Sequence, residues 1–173
     1  LMGAGRTELL ECLFGASENR STGDILLDGK ACDFRHPAQA MQAGIAMVTE
    51  DRKRLGLFSQ LSVGENISIS SLSDVSSAGI ISGSRERAAV TDQIRTLRVR
   101  TASEEAGITT LSGGNQQKCI IARCLLTEPR VLLLDDPTRG VDIGAKSELY
   151  QLMEELSSKG MSILVTSSEL PEL

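Results

Sequence analysis

Two adjacent carboxylates, Asp135 and Asp136, close the aliphatic run that begins at Val131. Such a run reads as a strand in the middle of a parallel sheet, and the carboxyl ends of these strands are where open α/β sheets bind ligands. The first carboxylate can hold Mg²⁺, usually through water because that ion keeps several of its waters. The second can orient or deprotonate an attacking water. A solvated Asp-Asp-Pro-Thr turn is the alternative. Near the start, Gly3-Ala-Gly5-Arg6-Thr7 precedes a helical pattern. In a phosphate loop of the form G-x-x-x-x-G-K-[ST], Ala4, Gly5, Arg6 and Thr7 take the last four positions, and the first glycine falls one residue before Leu1. Glycines let the backbone curl until its N–H groups face phosphate oxygens, the following helix adds its positive end, and the Thr7 hydroxyl is suited to Mg²⁺. Arg6 keeps the charge of the usual lysine but is a bulkier, planar fork. On this stretch alone, a glycine-rich turn capping a helix explains the residues equally well. A third cluster, Leu111-Ser-Gly-Gly-Asn-Gln-Gln-Lys118, sits at a helix start. Ser112 and the backbone of Gly113 and Gly114 offer donors at a helix N-terminus, an anion site, or else form an ordinary helix cap.

The elements that must position these residues alternate between strand and helix. Thr7 to Phe14 reads as a short helix closed by Gly15. Gly23 to Gly29 reads as a strand with turn residues at both ends. Pro37 to Ala43 is a short helix with Gly44 behind it, and His36 is its start residue. Ile45 to Val48 is a buried strand. Ser62-Val-Gly-Glu65 is a capping box opening another helix. Residues 71–84 are rich in Ser and Gly and read as a loop. Val90, Ile94 and Leu97 recur at helix spacing within Arg85 to Leu97. Asp142 caps a helix to about Ser158 with an inner face of Ala145, Leu149, Leu152, Met153 and Leu156. Gly160 ends it, and Met161 to Thr166 is the next strand. Alternation of this kind means an α/β fold with a mostly parallel sheet. Residues 60–118 are expected to lack strands and to form a helical insert. The triplet Arg52, Lys53 and Arg54 reads as a solvated basic turn.

The chain has 173 residues, 40% of them hydrophobic, so it suits one domain with a core. Net charge is −5 with both signs interspersed, which argues against a nucleic-acid partner. No apolar run approaches the ~20 residues that span a bilayer. Leu1 opens inside the glycine-rich motif without a basic and then apolar stretch, so no secretory leader is expected. The four cysteines form no Cys-x-x-Cys pair and only one histidine could join them, so reduced, mostly buried thiols are expected rather than zinc ligands. Aromatics are 2%, leaving few candidates to stack on a base.

Taken in order, Leu111 to Lys118 followed by Leu133-Leu-Asp-Asp-Pro-Thr-Arg-Gly-Val-Asp142 resembles the signature, Walker B and D-loop of an ABC ATPase. The match runs over nearly the whole chain at the family's spacing. Thr49 to Gly56, Gly114 to Lys118, Pro137 to Lys146 and Ser167 to Glu172 are similar to the C-terminal nucleotide-binding half of bacterial monosaccharide-import ATPases, which carry two such halves in one polypeptide. The resemblance implies a P-loop NTPase fold of the ABC type, with the N-terminal strands missing from this stretch. Residues 1–173 would form one nucleotide-binding domain fragment, with a helical subdomain and signature over about 60–118 and a RecA-like core elsewhere. It implies ATP and Mg²⁺ as cofactors. Gly3, Ala4, Gly5, Arg6 and Thr7 would form the Walker A loop, with Thr7 and Asp135 toward the metal. Ser112, Gly113, Gly114 and Gln116 belong to the signature and Asp142 to the D-loop. Asp136 occupies the catalytic glutamate position, Glu50 that of the Q-loop glutamine and Ser168 that of the switch histidine.

Four positions depart from the family pattern: Arg6 for Lys, Glu50 for Gln, Asp136 for Glu and Ser168 for His. Aspartate is one methylene shorter than glutamate, and a misplacement of about 1 Å can cost on the order of 10²-fold in rate. Serine cannot replace imidazole as a proton-handling or charged γ-phosphate partner. Glu50 can ligate Mg²⁺ or pair with Arg52 or Lys53. The resemblance therefore implies a half that binds ATP better than it hydrolyses it, at the cytoplasmic face of the bacterial inner membrane. Its partners would be a second such half, a membrane permease and, indirectly, a periplasmic sugar-binding protein. A regulatory, non-hydrolysing nucleotide-binding module is the competing reading, and a soluble ABC protein working away from transport is a third.

Overall fold

The computed structural model describes residues 4–18, 22–77 and 79–169. Gly5, at φ 73°, opens α1 (Arg6–Phe14), and Gly15, at φ 72°, ends it by donating its N–H to the Cys12 carbonyl at 3.1 Å. The stretch expected as one strand from Gly23 to Gly29 is instead a hairpin. Strands β1 (Ile25–Leu27) and β2 (Lys30–Cys32) pair antiparallel around Asp28 at φ 51° and Gly29 at φ 74°. Two successive positive-φ residues match the twist of the flanking strands, and Asp-Gly supplies them at low cost. Helix α2 (Pro37–Gln42) starts at Pro37, and His36 caps it by accepting the Ala38 N–H on Nδ1 at 3.2 Å. After β3 (Ile45–Val48), Arg52–Gly56 form one π-helical turn capped by the Asp51 carboxylate. The capping box of α3 (Val63–Ser68) is complete: the Glu65 N–H donates to Ser62 Oγ at 3.2 Å, and the Ser62 N–H to Glu65 Oε2 at 2.7 Å.

Residues 71–84 are not a plain loop. They hold α4 (Leu72–Val75) and the short antiparallel pair β4 (Ser76–Ser77) and β5 (Ile80–Ile81), so the insert is helical but not free of strands. Ser and Gly show no period there because two-residue strands are too short to carry one. Helices α5 (Gly83–Thr96) and α6 (Gly113–Leu125), strand β6 (Val131–Asp135), α7 (Ile143–Ser158) and β7 (Ser162–Thr166) complete the chain.

Strands β3, β6 and β7 pair parallel with β6 in the middle, setting Val48 beside Leu134 and Leu134 beside Val165. Side chains alternate across the sheet. Leu133 meets Leu10 of α1 and Ala40 of α2 on one face. Leu132 and Leu134 meet Ile120, Ile121 and Leu149 of α6 and α7 on the other. A strand covered on both faces must be apolar at every position, which is why its sequence does not alternate. The expected inner face of α7, from Ala145 to Leu156, packs on this core.

The insert is held to the sheet by a cation. Arg123 of α6 donates from Nη1 to the Gly56 carbonyl at 2.6 Å, from Nε to the Asn66 carbonyl at 2.6 Å and from Nη2 to Asn66 Oδ1 at 3.0 Å. It also lies 5.2 Å from the centre of the Phe58 ring. Asn66 is fully buried and clasps the Phe58 backbone through both its amide groups. Burial pulls the Arg123 guanidinium below its ordinary pKa, yet all three nitrogens face acceptors. Cys119 and Cys124 are buried and Cys12 and Cys32 half-buried, so burial of the thiols is less complete than expected.

Arg123→Ala strips the Gly56 and Asn66 acceptors of a charged donor and should lower unfolding free energy by about 3 kcal/mol in urea titration. Burial pushes the Cys119 and Cys124 thiols up to about 12. At pH 8 both should therefore resist iodoacetamide in the folded protein and react once it is denatured, as read by peptide mass mapping.

Candidate functional site

The parallel strands aim their carboxyl ends toward the start of α1. Asp135 ends β6 and is 2% exposed, and Asp136 follows at 6%. Thr166, beside Asp135 in the register, donates its hydroxyl to Asp135 Oδ1 at 2.7 Å. The Asp136 N–H donates to the Thr166 carbonyl at 3.0 Å. Asp136 has φ 44°, a left-handed conformation that Asp and Asn tolerate better than longer side chains. Oδ2 of Asp135 is buried and has no hydrogen-bond partner among the described residues. Arg6 Nη1 donates to the Ser167 carbonyl, tying the first residue of α1 to the segment just past β7. Ser167 is buried, whereas the adjacent Ser168 is exposed. Its neighbour Glu169 pairs with Lys146 of α7 at 2.6 Å. Thr7 is half-buried, Ala4 and Gly5 are exposed, and Gly3 lies outside the described residues. The structure thus brings Arg6, Asp135, Asp136 and the segment carrying Ser168 to one end of the sheet.

A second cluster forms at the start of α6. Ser112 is exposed, and its Oγ accepts from Asn115 Nδ2 at 2.9 Å rather than capping a backbone N–H of its own helix. Close approach demands glycine at 114, while at 113 it is the movable tip of Arg52 that lies near. A β-carbon on Gly114 would stand 2.4 Å from the Ala145 β-carbon of α7, and one on Gly113 would stand 2.6 Å from Arg52 Nη2. Gln116 Nε2 donates to the Ile108 carbonyl at 3.3 Å, and Asp142 Oδ1 caps α7 through the Ala145 N–H at 2.9 Å. Lys118 is 3% exposed and donates to Glu148 Oε2 at 2.6 Å, so the end of this motif braces α6 against α7. That hydrogen bond holds the Glu148 carboxyl below its ordinary range.

Glu50 pairs with Arg139, and not with Arg52 or Lys53 as its sequence neighbourhood suggests. Nor is Arg52 part of a solvated turn. Its Nη1 donates to the Arg139 carbonyl at 2.7 Å and its Nη2 to the Gly140 carbonyl at 3.0 Å. Lys53 and Arg54 are exposed as expected. Arg52, Arg139 and Thr166 are thus site neighbours that sequence reasoning missed. For Thr166, a polar residue ending an apolar strand pattern was an available signal. Nothing in a basic triplet marks Arg52 from the two residues after it.

Residues 2–139 match the family model described as ABC transporter. The chain is 49% identical over 173 residues to the xylose import ATP-binding protein XylG of Photobacterium profundum, covering all of this chain and 34% of that protein. It is 49% identical to the ribose import ATP-binding protein RbsA of Oceanobacillus iheyensis, again over its full length and 35% of that protein. The chain therefore spans about a third of the length of these relatives. Among solved structures, a nucleotide-free ATP-binding cassette from an ABC transporter superposes with TM-score 0.82 at 22% identity, covering 99% of this chain and 69% of that one. A dimeric bacterial ABC transporter cassette gives TM-score 0.78 at 22% identity, covering 99% and 73%. The chain belongs to the ABC transporter family, and its fold is that of the family's ATP-binding cassette.

Proposed function

We propose that this chain is part of the C-terminal nucleotide-binding half of an ATPase that energises import of a monosaccharide, and that its own site turns over slowly. The relatives named as xylose and ribose import ATP-binding proteins support the cargo class. One observation carries the site: the buried Asp135 oxygen without a partner among the described residues, at the carboxyl end of the central strand. A carboxylate and the Thr7 hydroxyl are hard oxygen donors of the kind Mg²⁺ takes. That ion, when bound, would neutralise phosphate charge. Thr166 occupies Asp135 Oδ1, so Oδ2 would be the oxygen left to hold that ion, directly or through water.

Gly3 to Thr7 would cradle the phosphates, with the N–H groups of the α1 first turn as donors. Asp136 would orient the attacking water, and Glu50 and Ser168 would flank the γ-phosphate side. The slow-site reading is supported by Arg6, whose guanidinium is engaged through Nη1 by the Ser167 carbonyl. It is supported also by Ser168, a short neutral side chain at an exposed position. The same features favour a non-hydrolysing regulatory module as the second reading. Residues 60–118 would act as the helical subdomain. Gly113, Gly114 and their neighbours, including Ser112, Gln116 and Asp142, would face the nucleotide held by a second half. The assembly would include a permease and, indirectly, a periplasmic binding protein, with this chain at the cytoplasmic face of the inner membrane.

The two clusters then serve different sites, and substitutions in them should have unequal effects. In the intact polypeptide carrying this chain, Ser112→Arg should lower steady-state ATP turnover and sugar uptake by about 10²-fold through bulk at a close approach. Gly113→Asp should do likewise by placing a negative charge against phosphate. Asp136→Asn keeps the left-handed backbone and should cost less than about threefold, because the site it serves lacks a good base. Equal losses for Ser112→Arg and Asp136→Asn would defeat the slow-site reading. A second outcome concerns the metal. Asp135→Asn should raise metal-free stability by about 1–3 kcal/mol, since it removes a buried charge with an unpaired oxygen. It should abolish the extra thermal stabilisation that Mg²⁺ adds to nucleotide; retention of that stabilisation would take Asp135 out of the metal site.

A further inference from the structure

A cleft of about 280 Å³ opens where the end of α5 meets α6 and α7. Its walls carry three cations, Arg98, Arg100 and Lys118, against two carboxylates, Glu148 and Glu155. The chain as a whole carries −5, so this local positive surplus runs against the general balance. Sites for drug-sized ligands run to about 300–1,000 Å³, and this cleft suits something smaller. Neither Asp135 nor Asp136 lines it.

Lys118 is the buried member, 3% exposed. Its ammonium donates to the Arg98 carbonyl at 3.3 Å and to Glu148 Oε2 at 2.6 Å. An ammonium has three donors, so these two bonds leave one to offer. Arg98 turns its carbonyl to Lys118 from a left-handed backbone at φ 51°, uncommon for any residue but glycine. The Arg100 N–H donates to Asn115 Oδ1 at 2.8 Å, which fixes the root of that side chain against α6. Its Nη2 takes the other Glu148 oxygen, Oε1, at 2.8 Å, so one carboxylate serves two cations. Arg98 Nη2 lies 3.8 Å from Glu155 Oε1, beyond hydrogen-bond reach. The Arg98 and Arg100 side chains are 75% and 78% exposed and can swing.

We infer that this cleft binds a small tetrahedral oxyanion, phosphate or the phosphate group of a monoester, between Lys118, Arg98 and Arg100. Each guanidinium presents paired N–H groups that match two oxygens of such an anion, and the buried ammonium adds a point charge where solvent screens little. Glu148 competes for the same donors, and Arg100 turns from it to the ligand. A planar carboxylate ligand offers two oxygens in one plane, whereas phosphate offers oxygens in the several directions from which these cations come.

Inorganic phosphate, glucose 6-phosphate and acetate are titrated calorimetrically into the intact polypeptide carrying this chain. A saturating non-hydrolysable ATP analogue and Mg²⁺ keep phosphate from the loop at Gly3 to Thr7. Phosphate should bind, and Arg98→Gln and Arg100→Gln should each weaken it by about tenfold. Both arginines pair at the surface, so these variants should melt as the unaltered protein does. Glu148→Gln should bind phosphate about fivefold more tightly, because the competing carboxylate is gone, and phosphate should raise its melting temperature more than that of the unaltered protein. Tighter binding of glucose 6-phosphate than of phosphate would identify a monoester as the ligand, and equal binding the free ion; either supports the site. No phosphate binding, phosphate binding unchanged in the Arg98→Gln, Arg100→Gln double variant, or acetate binding as tightly as phosphate overturns it.

Discussion

Strand β6 is hydrogen-bonded along both edges and covered on both faces, and that double enclosure governs the rest of the molecule. A strand so placed has no room for a polar side chain until it emerges from the sheet. Asp135 stands at the point of emergence, with one oxygen satisfied by a hydroxyl and the other unpartnered among the described residues. The sheet therefore delivers a buried carboxylate to a defined place with one oxygen unpartnered among the described residues. The neighbouring strands are positioned by the same pairing: β7 brings Thr166 and the Ser167 carbonyl, and β3 runs out toward Glu50.

Helix α6 is the second beam, and it carries its function at the ends. Its second residue, Gly114, is glycine because Ala145 of α7 approaches too closely for a β-carbon, and the tip of Arg52 lies against Gly113. Its middle buries Lys118 against Glu148, and its last turn carries Arg123, which reaches Gly56 and Asn66. A cation buried in this way costs desolvation and returns it only when every donor has an acceptor. For that reason these contacts specify where the insert sits rather than merely adding to stability. The turn at 52–56, the insert and the Ser-Gly-Gly turn are thus hung on one helix.

The sheet and its helices are legible in the sequence because their signals are local or periodic. The apolar run at β6, the capping box at Ser62, the Asp142 cap and the glycine stops at 15 and 160 each state a boundary within a few residues. The hairpin at Asp28-Gly29 has a readable turn, but a three-residue strand after it offers no alternation to distinguish it from a loop. The pair around Gly79 is not readable, because two-residue strands carry no pattern. Of the site, the carboxylates and the Ser-Gly-Gly turn can be named from their residues alone. Their partners cannot. Arg52 reaches across 87 residues of sequence to the Arg139 carbonyl, and only the fold decides which cation of a triplet does so.

Three of the four departures from the family pattern, Arg6, Asp136 and Ser168, lie at the carboxyl end of the sheet, whereas Glu50 pairs with Arg139. Arg6 is engaged by a backbone carbonyl, and Asp136 is short and held in a left-handed turn. Ser168 is exposed and lacks a group that could take up charge at neutral pH. The signature side tolerates no comparable drift. Gly114 is fixed by the Ala145 β-carbon, which would stand 2.4 Å from a β-carbon added there, on a helix that also forms the core, whereas at Gly113 the near atom is the movable tip of Arg52. The two faces thus differ in how strongly folding itself constrains them. The turn at the start of α6 is held by the packing of α6 against α7, and Arg52 clasps the loop beside it.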